Sequence, residues 1–115
     1  MLMVGLAGPA LGAGHFEGWV CGGGDAQGGL LLATTNGTDW ARQGIGQLPL
    51  VGLSAVCSSG TGNVWVVGDV EGEYAAIYYS SDSGMSWSRQ GDASSMPSNV
   101  LQKVCVVQTQ VVWAV

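Results

Sequence analysis

Ser80-Ser81-Asp82-Ser83-Gly84-Met85-Ser86-Trp87 reads as the end of one strand, a tight turn and the start of the next. Each position has a physical task. The short carboxylate of Asp82 suits hydrogen bonds from backbone N–H groups just after it, and Ser80 can add a hydroxyl bond beside it. Gly84 supplies a positive φ that a residue with a Cβ resists. Trp87 opens the next strand with a large ring that favours burial and an N–H that needs a partner.

The flanks of this stretch recur along the chain. Trp87-Ser88-Arg89-Gln90-Gly91 repeats Trp40-Ala41-Arg42-Gln43-Gly44. Trp65-Val66-Val67-Gly68 repeats Trp19-Val20-Cys21-Gly22, and the motif begins again at Trp113-Ala114-Val115. Leu101, Val104 and Cys105 repeat Leu53, Val56 and Cys57. The anchors return after 46 to 48 residues, in the same order each time. That period suits one four-stranded unit, for which related repeats run ~40–50 residues. In the second unit the turn residues place strands at about 51–58, 63–69, 74–81 and 86–90. In the first unit the expected strands are 18–22, 30–35 and 40–43, preceded by a poor one near 7–11 that contains Gly8 and Pro9. The glycine-rich run 22–29 reads as a loop between strands. A third unit starts with strands at about 100–107 and 111–115. Helical periodicity is absent throughout.

The pattern Ser-x-Asp-x-Gly-x-x-Trp, complete at Ser80, Asp82, Gly84 and Trp87, resembles the Asp-box or BNR repeat of sialidases and other β-propellers. In the first unit Gly37 and Trp40 are in register with Gly84 and Trp87. Thr35 falls at the Asp position and Ala33 at the Ser position, so this box is degenerate, with Asn36 or Asp39 as the substitute source of a side-chain oxygen. The resemblance implies an all-β chain: a partial β-propeller of about two four-stranded antiparallel blades (7–44 and 50–91) plus the inner half of a third (100–115). Propellers close with four to eight blades, and closure protects strand edges. Two and a half blades cannot close, so the expectation is a fragment of a longer propeller, with self-assembly or another repeat architecture as the competing explanations.

Two functional groups within such families compete. One is non-catalytic scaffolds, among them the photosystem II assembly and stability factors, whose repeats the stretch 19–40 is similar to. The other is sialidase-like glycoside hydrolases, whose arginine triad is missing here and whose catalytic residues would lie outside this chain. A sorting-receptor propeller is a third reading. The first is preferred: a protein-binding or assembly scaffold, whose partner is another protein or the rest of the propeller, without catalytic residues, cofactor or metal.

Composition narrows the rest. Charged residues make up 10% of the 115 residues, and the formal charge is −5. Arg42, Arg89 and Lys103 are the only strong cations, too few to neutralise a nucleic-acid backbone or to hold an anionic membrane surface. No apolar run reaches the ~18 residues of a membrane helix. The first fourteen residues lack a positive start and are interrupted by Gly5, Gly8 and Pro9, so a secretory leader is not expected. Cys21, Cys57 and Cys105 are unpaired in spacing, and with one histidine, His15, no zinc site is expected. All three cysteines are expected as small buried hydrophobes in strands.

Several residues invite a chemical reading beside a structural one. Asp82 is read as a turn cap rather than a catalytic carboxylate. Arg42 and Arg89 resemble carboxylate clamps, but both recur at one place in the repeat, so a salt link or a cation–π contact within the unit is preferred. Tyr74, Tyr78 and Tyr79 with Glu71 or Glu73 resemble a sialidase tyrosine–glutamate pair, but no second acidic group faces them from another element, as a retaining glycosidase requires. Packing is preferred for the tyrosines. The 22–29 run is not a phosphate loop, because no Gly-Lys-Ser/Thr and no helix follow.

Overall fold

Short apolar runs closed by Gly, Ser, Asn and Asp dictate strands and turns, and that is what forms. The structure, a computed structural model, describes residues 3–7, 17–59, 61–108 and 111–115. Regular structure within them is antiparallel β, without helix. Strands β1 (Met3–Ala7), β2 (Glu17–Asp25), β3 (Gly28–Thr34) and β4 (Ala41–Arg42) form one four-stranded sheet in chain order. Strands β5 (Leu53–Ser58), β6 (Val64–Glu71), β7 (Tyr74–Ser80) and β8 (Ser88–Arg89) form a second. Strands β9 (Val104–Gln108) and β10 (Val111–Ala114) form a hairpin. Among the described residues no sheet closes on itself.

The sequence repeat is also a repeat of pairing register. Trp19 pairs with Ala33 and Ala33 with Ala41 across the first sheet. Trp65 pairs with Tyr79 and Tyr79 with Ser88 at the matching places of the second. The connection leaving each sheet repeats too. The Gly29 N–H donates to the Pro49 carbonyl at 2.7 Å, and the Ala75 N–H to the Pro97 carbonyl at 2.9 Å. Each loop therefore folds back on the start of its own third strand before the chain enters the next unit.

The units stack face to face, with β5 against β1 and β2 on one side and against β9 on the other. Side chains alternate across a strand, so a sheet covered on both faces needs apolar residues at every position. The first half of β6, residues 64–67, meets that demand. Val64 and Val66 join Trp19, Cys21, Leu31 and Trp87 between the first two sheets. Val67, with the partly buried Trp65, points the other way, to Leu101 and Val104 of the third unit.

Three expectations change. The first strand lies at Met3–Ala7, and the rest of the 7–11 range is outside the described residues. The 22–29 run is mostly ladder: β2 runs to Asp25, β3 starts at Gly28, and only Ala26 and Gln27 make the turn. Gly24, Gly28 and Gly29 are there for close approach. A Cβ on Gly29 would stand 2.7 Å from the Leu53 side chain and 2.8 Å from the Val51 carbonyl oxygen. Of the cysteines only Cys21 is buried; Cys57 is half-buried, and Cys105 is exposed because it belongs to the outermost hairpin.

Candidate functional site

The 80–87 turn is a closed hydrogen-bond network. The buried Ser80 Oγ accepts from the Gly84 N–H at 2.8 Å and the Asp82 N–H at 3.3 Å, and donates to Asp82 Oδ1 at 2.7 Å. Asp82 Oδ1 also accepts from the Ser86 N–H at 2.8 Å, while the Ser86 hydroxyl donates to Oδ2. These donors, the Ser86 hydroxyl first, hold the Asp82 carboxyl down at about 2. Gly84 has φ +89°, and a Cβ there would lie 2.7 Å from the Trp19 ring. Trp87 donates its indole N–H to the Gly84 carbonyl at 3.0 Å, and its ring meets Trp19 edge to face with centroids 6.4 Å apart. Its backbone N–H donates to Gln47 Oε1 at 2.9 Å, which ties the turn to the connection leaving the first sheet.

The first unit builds the same network one residue away from the sequence alignment. Thr34 Oγ1 accepts from the Gly37 N–H at 2.9 Å and the Asn36 N–H at 3.2 Å, and donates to Asn36 Oδ1 at 3.1 Å. Asn36 Oδ1 also accepts from the Thr38 and Asp39 N–H groups, at 2.9 and 2.8 Å. Thr34 and Asn36 thus fill the roles of Ser80 and Asp82, while Thr35 and Ala33 stand one place before them. The cause is length: Asn36 abuts Gly37, whereas Ser83 separates Asp82 from Gly84. Trp40 is 40% exposed against 9% for Trp87, because Trp87 has Trp19 beneath it and Trp40 belongs to the first unit of the stack.

The two arginines clasp the hairpins of their own sheets. Arg42 grips Asp25 with both terminal nitrogens, at 2.8 and 2.9 Å, and reaches the Gly28 carbonyl at 3.2 Å. The guanidinium holds the Asp25 carboxyl at about 2. Arg89 lies 3.2 Å from Glu71 Oε1, donates to the Glu71 and Tyr74 carbonyls at 2.7 and 2.9 Å, and sits 3.8 Å above the Tyr74 ring. The Tyr78 hydroxyl does donate to Glu71 Oε1, at 2.8 Å. Burial, with that carboxylate second, pushes the phenol up to about 12, away from the phenolate a nucleophile requires. The Tyr79 hydroxyl donates to Asn63 Oδ1 at 2.6 Å. Glu73 is exposed. His15 lies outside the described residues.

Sequence reasoning passed over Glu17. It is 6% exposed, and its Oε1 accepts from the Trp19 indole N–H and the Ser58 hydroxyl, each at 2.6 Å. The signal for it was present: Glu17-x-Trp19 matches Asn63-x-Trp65. Glu17 opens onto a cleft of about 400 Å³ whose walls include Trp19, Ala33, Thr34, Trp40 and Ser83. Among the described residues no group of His, Cys, Asp and Glu is arranged to hold a metal, and no helix is long and apolar enough to cross a membrane. Comparison of the chain with known protein families, with curated proteins and with solved structures finds no match.

Proposed function

We propose that this chain is a segment of an Asp-box β-propeller and acts as a non-catalytic protein-binding or assembly scaffold. The observation that carries this reading is the engagement of both arginines. Arg42 and Arg89 are bound to Asp25 and Glu71 of their own hairpins, where neither presents a guanidinium to a substrate carboxylate. Tyr78, the phenol paired with a glutamate, is held protonated rather than activated. Exposed apolar side chains give the scaffold contact surface: Trp113 at 64%, Met85 at 78% and Leu50 at 76%. With a formal charge of −5 the partner is a protein rather than a nucleic acid.

Incubation with a fluorogenic sialoside tests the choice between scaffold and hydrolase. The scaffold reading predicts release no faster than buffer. Turnover that disappears in Tyr78→Phe would overturn it in favour of a sialidase-like hydrolase.

A further inference from the structure

The turn of the first unit differs chemically from that of the second: its central acceptor is an amide followed directly by glycine. Asn36 is exposed and precedes Gly37, whereas Asp82 has no amide to lose and precedes Ser83. A side-chain carboxamide before a glycine is open to attack by the glycine's own backbone nitrogen, because no Cβ on that residue obstructs the approach. Asn63 and Asn99, the other asparagines, each precede a valine, whose branched side chain does obstruct it. In the closed turn the atoms this reaction needs are committed elsewhere. The nucleophile, the Gly37 N–H, donates to Thr34 Oγ1 at 2.9 Å. Asn36 Oδ1 accepts from the Thr34 hydroxyl at 3.1 Å and from the Thr38 and Asp39 N–H groups at 2.9 and 2.8 Å. The leaving nitrogen, Nδ2, donates to Asp39 Oδ2 at 2.8 Å. Attack removes the Gly37 proton that Thr34 accepts and makes Cγ tetrahedral, which turns Oδ1 away from donors aimed at a planar amide.

We propose that Asn36 is a self-modification site and that its own turn is the gate. When the turn opens, the Gly37 nitrogen gives its proton to water and bonds to Asn36 Cγ. The Cγ–Nδ2 bond breaks, Nδ2 takes a proton from water and leaves as ammonia, and a cyclic imide joins the two residues. Water then opens the imide. Cleavage at Cγ leaves aspartate; cleavage at the backbone carbonyl leaves isoaspartate, whose main chain runs through the former side chain. One water is consumed and one ammonia released, with no oxidant or reductant. Isoaspartate lengthens the backbone between Thr34 and Thr38, so the bonds from Thr34, Thr38 and Asp39 no longer close together, and a transient opening becomes permanent. The inference rests on the turn alone and stands whether or not the chain is a scaffold.

Peptide mapping by mass spectrometry, on the whole chain held at neutral pH either folded or in urea, is the direct test. An isoaspartate-specific methyltransferase labels the product. The expected result is amide loss at Asn36 at least roughly tenfold slower in the folded chain than in urea, because reaction waits on local opening. Asn99, exposed but followed by valine, should keep its amide in both. Thr34→Val removes the hydroxyl that holds both Gly37 and Asn36 and should raise the folded rate toward that in urea, while Thr35→Val leaves it unchanged. In the modified fraction the Thr38 and Asp39 amide protons should lose their protection from exchange. A folded rate equal to or above that in urea, loss at Asn99 as fast as at Asn36, a wild-type rate in a folded Thr34→Val protein, or retained protection in the modified fraction would each overturn the inference. The wild-type comparison decides even if Thr34→Val fails to fold.

Discussion

Trp87 fixes its own turn with its indole N–H and covers Trp19 with its ring, so one side chain joins local structure to packing. Trp87→Ala removes both and should destabilise the chain by about 3–5 kcal/mol in urea unfolding. Gly84→Ala should cost about 1–3 kcal/mol, since alanine at φ +89° is strained and its methyl would meet the Trp19 ring. Residues with tasks inside the turn, such as Ser80, Asp82 and Gly84, were legible because their chemistry is local. The first unit's turn was legible in part: Asn36 was one of the two expected oxygen sources, but the role of Thr34 was not, because the register comes from the pairing of β2 with β3 and the shorter length hides the correspondence. The distinction is measurable. Asn36→Ala should lower stability by about 0.5–2 kcal/mol, as loss of a cap does, while Thr35→Ala stays within about 0.5 kcal/mol. Equal effects would contradict the assignment of the Asp82 role to Asn36.

At the scale of the element, the hairpins β2–β3 and β6–β7 are each closed by an arginine from the short fourth strand. The repeat of Trp-x-Arg-Gln-Gly made the arginines legible as parts of the unit. Their partners, Asp25 and Glu71, were not legible, since no local pattern links residues 17 and 18 positions apart. The glycine run was misread for a related reason. Gly28 and Gly29 make room for a connection from a later segment, which a sequence window does not contain. Arg89 holds a carboxylate and two backbone carbonyls and stacks on Tyr74; lysine has neither the planar fork nor the stacking face. Arg89→Lys should therefore raise amide hydrogen exchange in the 69–75 hairpin by roughly tenfold, the equivalent of about 1.4 kcal/mol of local opening, with exchange in β2 unchanged. Uniform acceleration across both sheets would show that the clasp is not local.

For the whole molecule, the depressed carboxyls give a pH dependence of definite sign. Asp25 and Asp82 fall from 3.8 to about 2 in the folded chain, and Asp92 falls as well. A group with a lowered folded pKa stabilises the fold fully above its unfolded value and loses that contribution as pH falls through the folded value. The contribution of these groups to the melting temperature should thus hold steady from neutrality to about pH 5 and decline between about pH 4 and pH 2. Asp82→Asn should flatten part of that decline; an unchanged profile would remove Asp82 from the account. The all-β character was legible from turn chemistry and the repeat period. The direction of stacking was not, because it depends on which face of each sheet the next unit covers.

That stacking is the claim on which the rest depends, and a two-dimensional NOE spectrum tests it directly. Cross-peaks are predicted from the Trp19 ring to the Gly84 Hα protons and to the Trp87 ring, which only adjoining units of the repeat can bring together. A folded chain whose Trp19 and Trp87 rings share no cross-peak, each contacting its own sheet alone, would contradict it.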